Sequence, residues 1–161
     1  MIRDALPGDW PAIWPIFEEI VRAGDTYAYP ADTDKPTAKA LRMNKPDRTF
    51  VFEHDGKILG TYYLKTNQEG PGKHVCSCGY IVSSDARGIG IARQMCEHLQ
   101  GIAITMGFNA IQFNFVASSN EVAVALWKKL GFNVVETLPR AFKHPTLRLI
   151  DALVMYKWRS D

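Results

Sequence analysis

Two glycines stand where an apolar strand pattern passes into a helical one. The segment Tyr80–Ala92 reads YIVSSDARGIGIA, with Gly88 and Gly90 directly before the helical pattern. The N-terminus of a helix offers unpaired N–H groups and a partial positive charge, which together favour an anion. Glycine lets a phosphate approach that backbone closely because it has no Cβ. With Arg87 adding a cation, the turn predicts a polyphosphate ligand, although glycines alone could also form a tight turn without one.

Two common nucleotide-binding turns fit this segment poorly. A Walker loop ends in Gly-Lys-Ser/Thr, which Ile89-Gly90-Ile91 lacks. A Rossmann turn needs a third glycine, where this chain has Arg93, and it opens a strand–helix–strand unit. Here a β-hairpin pattern precedes the turn instead, with Asp55-Gly56 at its tip.

A third motif fits closely. Arg87-Gly88-Ile89-Gly90-Ile91-Ala92 matches the pattern Arg/Gln-x-x-Gly-x-Gly/Ala. Further along, Asn120–Phe132 reads NEVAVALWKKLGF and is similar to Asn-x-x-Ala-x-x-Leu-Tyr-x-Lys-x-Gly-Phe. With both motifs in register, nearly the whole chain resembles the GCN5-related N-acetyltransferase (GNAT) superfamily.

The resemblance implies that acetyl-CoA, the acyl donor, binds in a gap where two parallel strands splay apart, His74–Ser83 and Ala110–Ala117. The backbone of Ile81 and Val82 would pair with the pantetheine arm, and amides of the glycine turn would hold the pyrophosphate. The residues that the resemblance assigns to the cofactor are Ile81, Val82, Arg87, Gly88, Ile89, Gly90, Ile91, Ala92, Asn120 and Trp127.

The implied reaction is direct attack of a neutral amine on the thioester, which positioning and carbonyl polarisation would accelerate. The catalytic residues stay unknown, because no motif selects a base among the candidates Glu18, Glu19, Asp25 and His74. Family members often carry a tyrosine in place of Trp127, and that tyrosine can protonate the leaving thiolate. An indole is no practical acid. Thiolate with a pKa of about 8.5 can leave without full protonation, and water can serve as the acid.

The acceptor residues rest on the same resemblance. Tyr27 and Tyr29 lie in the loop between the first two helices, which commonly walls the acceptor pocket. Asn114, six residues before Asn120, resembles the pattern of a narrower subgroup, together with Trp127 and the Pro139–Pro145 segment. That subgroup contains fungal acetyltransferases for proline analogues and related bacterial enzymes. It implies a small-molecule amine acceptor, an amino acid or analogue, with Asn114 contacting its carboxylate. Two alternatives remain, a non-catalytic acyl-CoA-binding regulatory module and a protein or peptide N-acetyltransferase.

Composition sets the remaining limits. The 161 residues predict one domain over 1–161, and a net charge of +2 predicts neither a nucleic-acid nor a membrane partner. Three cysteines do not make a disulfide framework, and Cys76 and Cys78 alone supply too few ligands for zinc. We therefore expect no metal and a reducing, cytoplasmic location. Many relatives form homodimers, and the resemblance implies that state here as well.

The elements that must position these residues follow from pattern. The order β-α-α-β-β-β-α-β-α-β-β predicts an α+β fold, a central mixed sheet with splayed parallel strands and helices on both faces. Asp9 is predicted to cap the first helix, in which Pro15 favours a kink or a late start. Ser118–Glu121 predicts a capping box. The last strands are predicted at Asn133–Thr137 and Asp151–Trp158, joined by the basic loop Pro139–Pro145.

Overall fold

The computed structural model describes residues 1–86 and 88–159. Seven strands form one sheet: β1 (Ile2–Asp4), β2 (Arg48–His54), β3 (Lys57–Thr66), β4 (Val75–Val82), β5 (Ala110–Ala117), β6 (Asn133–His144) and β7 (Arg148–Trp158). The α-helices are α1 (Trp10–Ala23), α2 (Lys35–Lys39), α3 (Ile91–Thr105) and α4 (Glu121–Lys129). The π-helical segment Ala40–Asn44 follows α2, and the 3-10 turns Pro7–Asp9, Gly70–Gly72 and Ser84–Ala86 complete the elements. No helix in this described part of the chain is long and apolar enough to cross a membrane.

The sheet has the order β1-β2-β3-β4-β5-β7-β6. Neighbouring strands are antiparallel except for β4 and β5, which are parallel. A parallel pair requires a crossover connection, which α3 provides between these two strands. The element order and the α+β class predicted from the sequence are confirmed.

Helices cover both faces of the sheet. On one face α3 and α4 pack against strand residues such as Tyr62, Tyr80 and Phe113 in the larger core cluster. On the other face α1 packs through Phe17 and neighbouring apolar residues against a second cluster that includes Ile81. Successive side chains of a strand point to opposite faces, so adjacent residues of β4 enter different clusters.

The first helix begins earlier than its proline suggests. It starts at Trp10, five residues before Pro15, and ends at Gly24, whose φ of 67° is left-handed. The predicted late start is therefore wrong, because Pro11 occupies the first turn, where a missing N–H is harmless. Asp9 occupies the N-cap position as predicted, but its side chain makes no capping hydrogen bond. Its carboxylate accepts from the Leu6 N–H at 2.7 Å and pairs with Arg3 at 2.8 Å instead.

The predicted basic loop is part of a strand. Strand β6 runs through it to His144 and pairs with β7 from Arg148 onwards. The regular alternation is interrupted by a bulge between Leu138 and Phe142, where Arg140 has a φ of 55° and its N–H donates to Asp151. Proline is tolerated in this strand because β6 is the edge of the sheet.

Candidate active site

A gap opens between the two parallel strands. Among the described residues β4 and β5 pair only at Val75–Ala110, Cys76–Ile111 and Ser77–Gln112, after which both strands continue without pairing to each other. On its other side β5 carries an irregularity, because the step from Phe113 to Val116 spans three residues where β7 advances by two. A bulge bends its strand and strengthens the local twist. The bulge therefore helps to turn β5 away from β4.

The direction of the backbone groups identifies which residues of β4 face this gap. The carbonyl of His74 accepts from Asn109, on the β5 side, whereas the N–H of Ser83 donates to Leu59, on the β3 side. Because backbone groups alternate along a strand with continuous register, even-numbered residues of β4 face β5. Val82 therefore presents its N–H and carbonyl to the gap.

The backbone of Ile81 has the opposite direction. Its N–H and carbonyl face β3, where Thr61 is its register partner, and its side chain is buried on the α1 face. Of the two residues predicted to pair with a pantetheine arm, Val82 alone directs its backbone groups into the gap. Tyr80, which the sequence did not indicate, is placed like Val82.

The glycine turn closes the end of the gap with an open cradle. Gly88 has a φ of 85° and Gly90 a φ of 79°, values that side-chain-bearing residues rarely adopt. Apart from the adjacent residues, no atom of the described part of the chain lies within 4 Å of the position that a Cβ would take at either residue. Helix α3 begins directly afterwards, and no described side chain caps its first N–H groups. Uncapped amides beside open space fit the predicted pyrophosphate.

The remaining residues of the turn differ in exposure. The side chain of Ile89 is exposed and that of Ile91 is buried, so Ile91 can reach a ligand through its backbone alone. Ala92 is half-buried in the first turn of α3. Arg87, the cation predicted at the rim, lies outside the described residues.

Asn120 stands at the start of α4 with a free carboxamide. It is the N-cap residue, but its side chain makes no capping hydrogen bond. The predicted capping box is wrong, because the helix begins at Glu121 and Ser118 lies two residues before the actual cap. The Asn120 carboxamide has no hydrogen-bond partner among the described residues and is available to a ligand.

Trp127 lies in the core against both borders of the gap. Its ring is stacked on Tyr80 of β4 at 5.0 Å between centroids, and Phe113 of β5 lies 5.2 Å away. The side chain is only 7% exposed. Burial beside Cys78 and Cys96 raises the pKa of Tyr80 well above its usual range, so this hydroxyl stays protonated. Trp127 closes the gap on the α4 side and has little surface left for a cofactor.

The predicted acceptor tyrosines lie on the opposite, α1 face. The hydroxyl of Tyr27 donates a hydrogen bond to the backbone carbonyl of Tyr80, which faces the gap. Its ring is stacked with Tyr29 at 5.9 Å, and Tyr29 packs against Phe17 of α1 at 5.3 Å. Burial raises the pKa of Tyr27. The loop between α1 and α2 is thus held against β4 where the strands diverge.

Asn114 lies on β5 within a polar cluster. Its Nδ2 is 2.7 Å from Oδ1 of Asn67 and 3.3 Å from Oγ of Ser77, and its Oδ1 accepts from Gln112 at 2.9 Å. Asn114 itself is exposed, whereas Ser77 is buried. The cluster bridges β4 and β5 at the last paired residues, next to the mouth of the gap.

A buried arginine that the sequence did not indicate completes this face. Arg42 has no exposed surface, and its Nη2 donates to the carbonyl of Gly79 at 3.0 Å. Its guanidinium lies over the ring of Tyr63, 4.7 Å from the centroid. Nε and Nη1 have no hydrogen-bond partner among the described residues. The signal available in the sequence was spacing, because Arg42 follows the buried Ala38 by four residues and so shares its helical face.

The four candidate bases are not brought to the gap by any described contact. Glu18 pairs with Arg22 at 3.3 Å, and Glu19 and Asp25 are exposed. His74 is exposed and precedes the paired part of β4, at the end opposite the divergence, where its ring lies 6.3 Å from that of Trp158. Among the described residues no cluster of three or more histidine, cysteine or acidic side chains could hold a metal.

The chain is similar in sequence and in fold to acetyltransferases. The sequence model of the Acetyltransferase (GNAT) family matches residues 10–132. A GCN5-related N-acetyltransferase from Kribbella flavida superposes with a TM-score of 0.94 at 44% identity, covering 99% of this chain and 97% of that one. The yncA protein of Salmonella typhimurium, solved with acetyl-CoA, has a TM-score of 0.87 at 21% identity, covering 100% of this chain and 94% of that one.

The N-acetyltransferase aca1 of Schizosaccharomyces pombe is 35% identical over 75 residues, covering 47% of this chain and 36% of that protein. The match thus spans about a third of the length of this curated relative. The family match covers most of this chain and confirms the resemblance identified from the two motifs. The chain belongs to the acetyltransferase (GNAT) family.

Proposed function

We propose that this chain transfers the acetyl group of acetyl-CoA to the amine of a small acceptor, an amino acid or analogue. The observation that carries the proposal is the divergence of β4 and β5 after Ser77 and Gln112. The open edge of β4 faces this gap, and the gap leads to the glycine turn at the start of α3. An extended pantetheine arm needs the open edge of a strand, and the pyrophosphate at the end of that arm needs the glycine turn.

Three parts of the chain would hold the donor. Val82 pairs with the pantetheine arm as an added strand would, through its N–H and carbonyl. The amides of Gly88–Ala92 hold the pyrophosphate at the uncapped end of α3. The free carboxamide of Asn120 donates to or accepts from the arm. Acetyl-CoA supplies an activated acetyl thioester.

Catalysis in this proposal depends on positioning and polarisation. The lone pair of the acceptor amine forms the new C–N bond as the C–S bond breaks and its electrons leave with sulfur. A backbone N–H of β4 in the gap polarises the acetyl carbonyl. Water takes the amine proton and supplies one to the thiolate. Trp127 shapes the gap without exchanging protons, because its indole is no practical acid.

The acceptor would lie on the α1 face, between the Tyr27–Tyr29 loop and Asn114. The polar side chains there lie close together and are partly exposed, which suits a small polar amine. The similarity to the subgroup with Asn114, Asn120 and Trp127 supports an amino-acid acceptor, with Asn114 at its carboxylate.

The test is a screen for release of free CoA from acetyl-CoA with a panel of amino acids, polyamines, nucleosides and short peptides. We expect release with at least one amino acid and acetylation of its amine by mass spectrometry. The cysteines of the protein add little to the thiol signal of released CoA, because a buried thiol with a raised pKa reacts poorly. Burial raises the pKa of Cys76 to about 12 and also raises that of Cys78 and Cys96. Acetyl-CoA binding without release for any amine would favour the non-catalytic module. Release with peptides alone would favour a peptide N-acetyltransferase.

A further inference from the structure

We infer that Arg42 forms an anion subsite on the acceptor side of the gap and takes the carboxylate of the acceptor. The inference rests on the proposed function and extends it, because it adds a charged partner for the carboxylate placed at Asn114 and requires an anionic acceptor. No motif of the sequence pointed to this residue.

The first argument is the incomplete pairing of a buried cation. Arg42 has no exposed surface, yet its Nε and Nη1 have no hydrogen-bond partner in the part of the chain that the structure describes. Its Nη2 donates to two backbone carbonyls, that of Gly79 at 3.0 Å and that of Thr61 at 3.5 Å. Buried polar groups are nearly always hydrogen-bonded, so an unpaired one calls for a partner such as a ligand, an ion or a water. The Nε–H and Nη1–H groups point to different sides of the guanidinium, and each can donate a charge-assisted hydrogen bond to a carboxylate oxygen.

The second argument is charge. No carboxylate of the described residues lies within salt-bridge distance of Arg42. The titratable groups near its charge are Tyr27, Tyr63 and Cys78, and burial raises the pKa of all three, so they stay neutral. The contact with Tyr63 gives a cation–π interaction, which compensates only part of the desolvation. A buried cation without a counter-ion therefore favours binding of an anion.

The third argument is position. Arg42 binds the carbonyl of Gly79, and Asn114 binds Oγ of Ser77, two residues earlier on β4. Residues two apart on a strand are separated by about 6.6 Å, so both groups border one small site. The same site lies beside the Tyr80 carbonyl, which accepts a hydrogen bond from the Tyr27 hydroxyl. The amine of an amino acid is only a few bonds from its carboxylate, so an acceptor whose carboxylate binds Arg42 holds its amine close to the gap.

Access requires the aromatic loop to move. Tyr27 and Tyr29 are both half-buried and lie in the irregular segment between α1 and α2, with Tyr27 close enough to Arg42 to feel its charge. A carboxylate reaches the guanidinium when Tyr29 turns away from Phe17, with which it packs. The loop thus serves as the cover of the anion subsite.

The competing explanation is purely structural. In that case Arg42 only fastens the π-helical segment Ala40–Asn44 to the sheet through its bonds to carbonyls. Loss of the Arg42 side chain would then lower the stability of the fold and weaken the binding of every acceptor to the same degree. The two explanations differ in whether Arg42 distinguishes a carboxylate from a neutral amide.

The experiment measures binding of L-amino acids and of their carboxamides to the full chain in the presence of CoA, by titration calorimetry. The variants are Arg42→Met, which keeps the length without the charge, and Arg42→Lys, which keeps the charge without the fork. The control is Arg22→Met, because Arg22 donates to the carbonyls of Ala31 and Thr33 in the same loop but is exposed. Melting temperatures and CoA affinity establish that each variant is folded.

We expect the wild type to bind its best amino acid at least about tenfold more tightly than the matching carboxamide, as a charge-assisted pair requires. Arg42→Met should abolish this preference and Arg42→Lys should retain part of it, whereas Arg22→Met should leave it unchanged. Equal binding of acid and amide by the wild type, no amino-acid binding, or a preference that survives in Arg42→Met would overturn the inference. Preferential binding without CoA release would contradict the proposed transferase activity and leave the subsite standing.

Discussion

The hydroxyl of Tyr27 donates a hydrogen bond to the backbone carbonyl of Tyr80, 53 residues further along the chain. This carbonyl belongs to the edge of β4 that no longer pairs with β5. The bond therefore joins the loop on the acceptor side to the strand on the donor side, at the point where the two substrates would meet. It satisfies a carbonyl that the divergence of the strands would otherwise leave without a partner.

Tyr27→Phe should lower the free energy of unfolding by about 1 kcal/mol, the usual loss for one hydrogen bond. The KM of the acceptor should rise more than that of acetyl-CoA, because the loop loses its attachment to β4. Urea unfolding and steady-state kinetics measure the two effects. Tyr156→Phe is the matched control, since the Tyr156 hydroxyl makes no hydrogen bond with a described residue. Equal destabilisation by both changes would contradict a role for the Tyr80 carbonyl.

Gly90→Glu should abolish acetyl-CoA binding. The substitution places a side chain and a negative charge in the open cradle at the start of α3, where phosphate would lie. A non-glycine residue at a φ of 79° also costs about 1–2 kcal/mol of stability. Calorimetric titration with acetyl-CoA measures the loss of affinity.

The control for Gly90→Glu is Gly107→Glu, at the other end of the same helix. Gly107 has a φ of 88° and open space around its Cβ position, so the backbone strain is matched. The helix dipole disfavours a negative charge at this end and favours it at the other, so Gly107→Glu should be destabilised at least as much as Gly90→Glu but bind acetyl-CoA normally. Unchanged affinity in Gly90→Glu would overturn the assignment of the turn.

Asn120→Ala should weaken acetyl-CoA binding with little loss of stability. Replacing a true N-cap residue by alanine costs about 1 kcal/mol, but the Asn120 side chain makes no capping bond. Asp34→Ala provides the reverse case, because Asp34 accepts from the N–H of Thr37 at 2.8 Å at the start of α2. That variant should lose stability, because its helix loses an N-cap hydrogen bond, and keep its cofactor affinity. Thermal unfolding and titration separate the two outcomes, and a large stability loss in Asn120→Ala would assign it a structural role.

The sequence predicted the parts of the site that depend on local backbone chemistry. Glycines before a helix and an asparagine at a helix start are local patterns, so Gly88, Gly90 and Asn120 could be identified. The direction of the β4 backbone depends on strand pairing, which local patterns do not determine, so Tyr80 was missed.

Arg42 was missed for a different reason. A charged residue in a short polar helix is usually exposed, and its complete burial results from packing between the aromatic loop and the sheet. Strand β6 was predicted too short because Pro139 and Arg140 interrupt its alternation, whereas an edge strand accommodates them in a bulge. Tertiary contacts, rather than local preference, decide both cases.

Acidification should destabilise the fold through His98. Its Nδ1 lies 2.7 Å from the hydroxyl of Tyr62, which burial keeps protonated by raising its pKa and which can donate to a neutral imidazole but not to a protonated one. Burial and then the charge of Arg48 lower the pKa of His98, while Asp4 acts in the opposite direction. The unfolded chain, with a His pKa of about 6.5, then binds a proton more readily than the folded one. This contribution to stability is present above that pKa and is lost as the pH falls below it.

His98→Gln should remove this dependence, because glutamine does not titrate. The measurement is the free energy of urea unfolding between about pH 7.5 and 5.5, a range above the titration of ordinary carboxylates. The wild type should lose more stability across this range than His98→Gln, whatever the difference between them at pH 7.5. His54→Gln removes an exposed imidazole next to Asp55 and should follow the wild type. A slope that is the same in the wild type and in His98→Gln would show that protonation of His98 does not oppose folding.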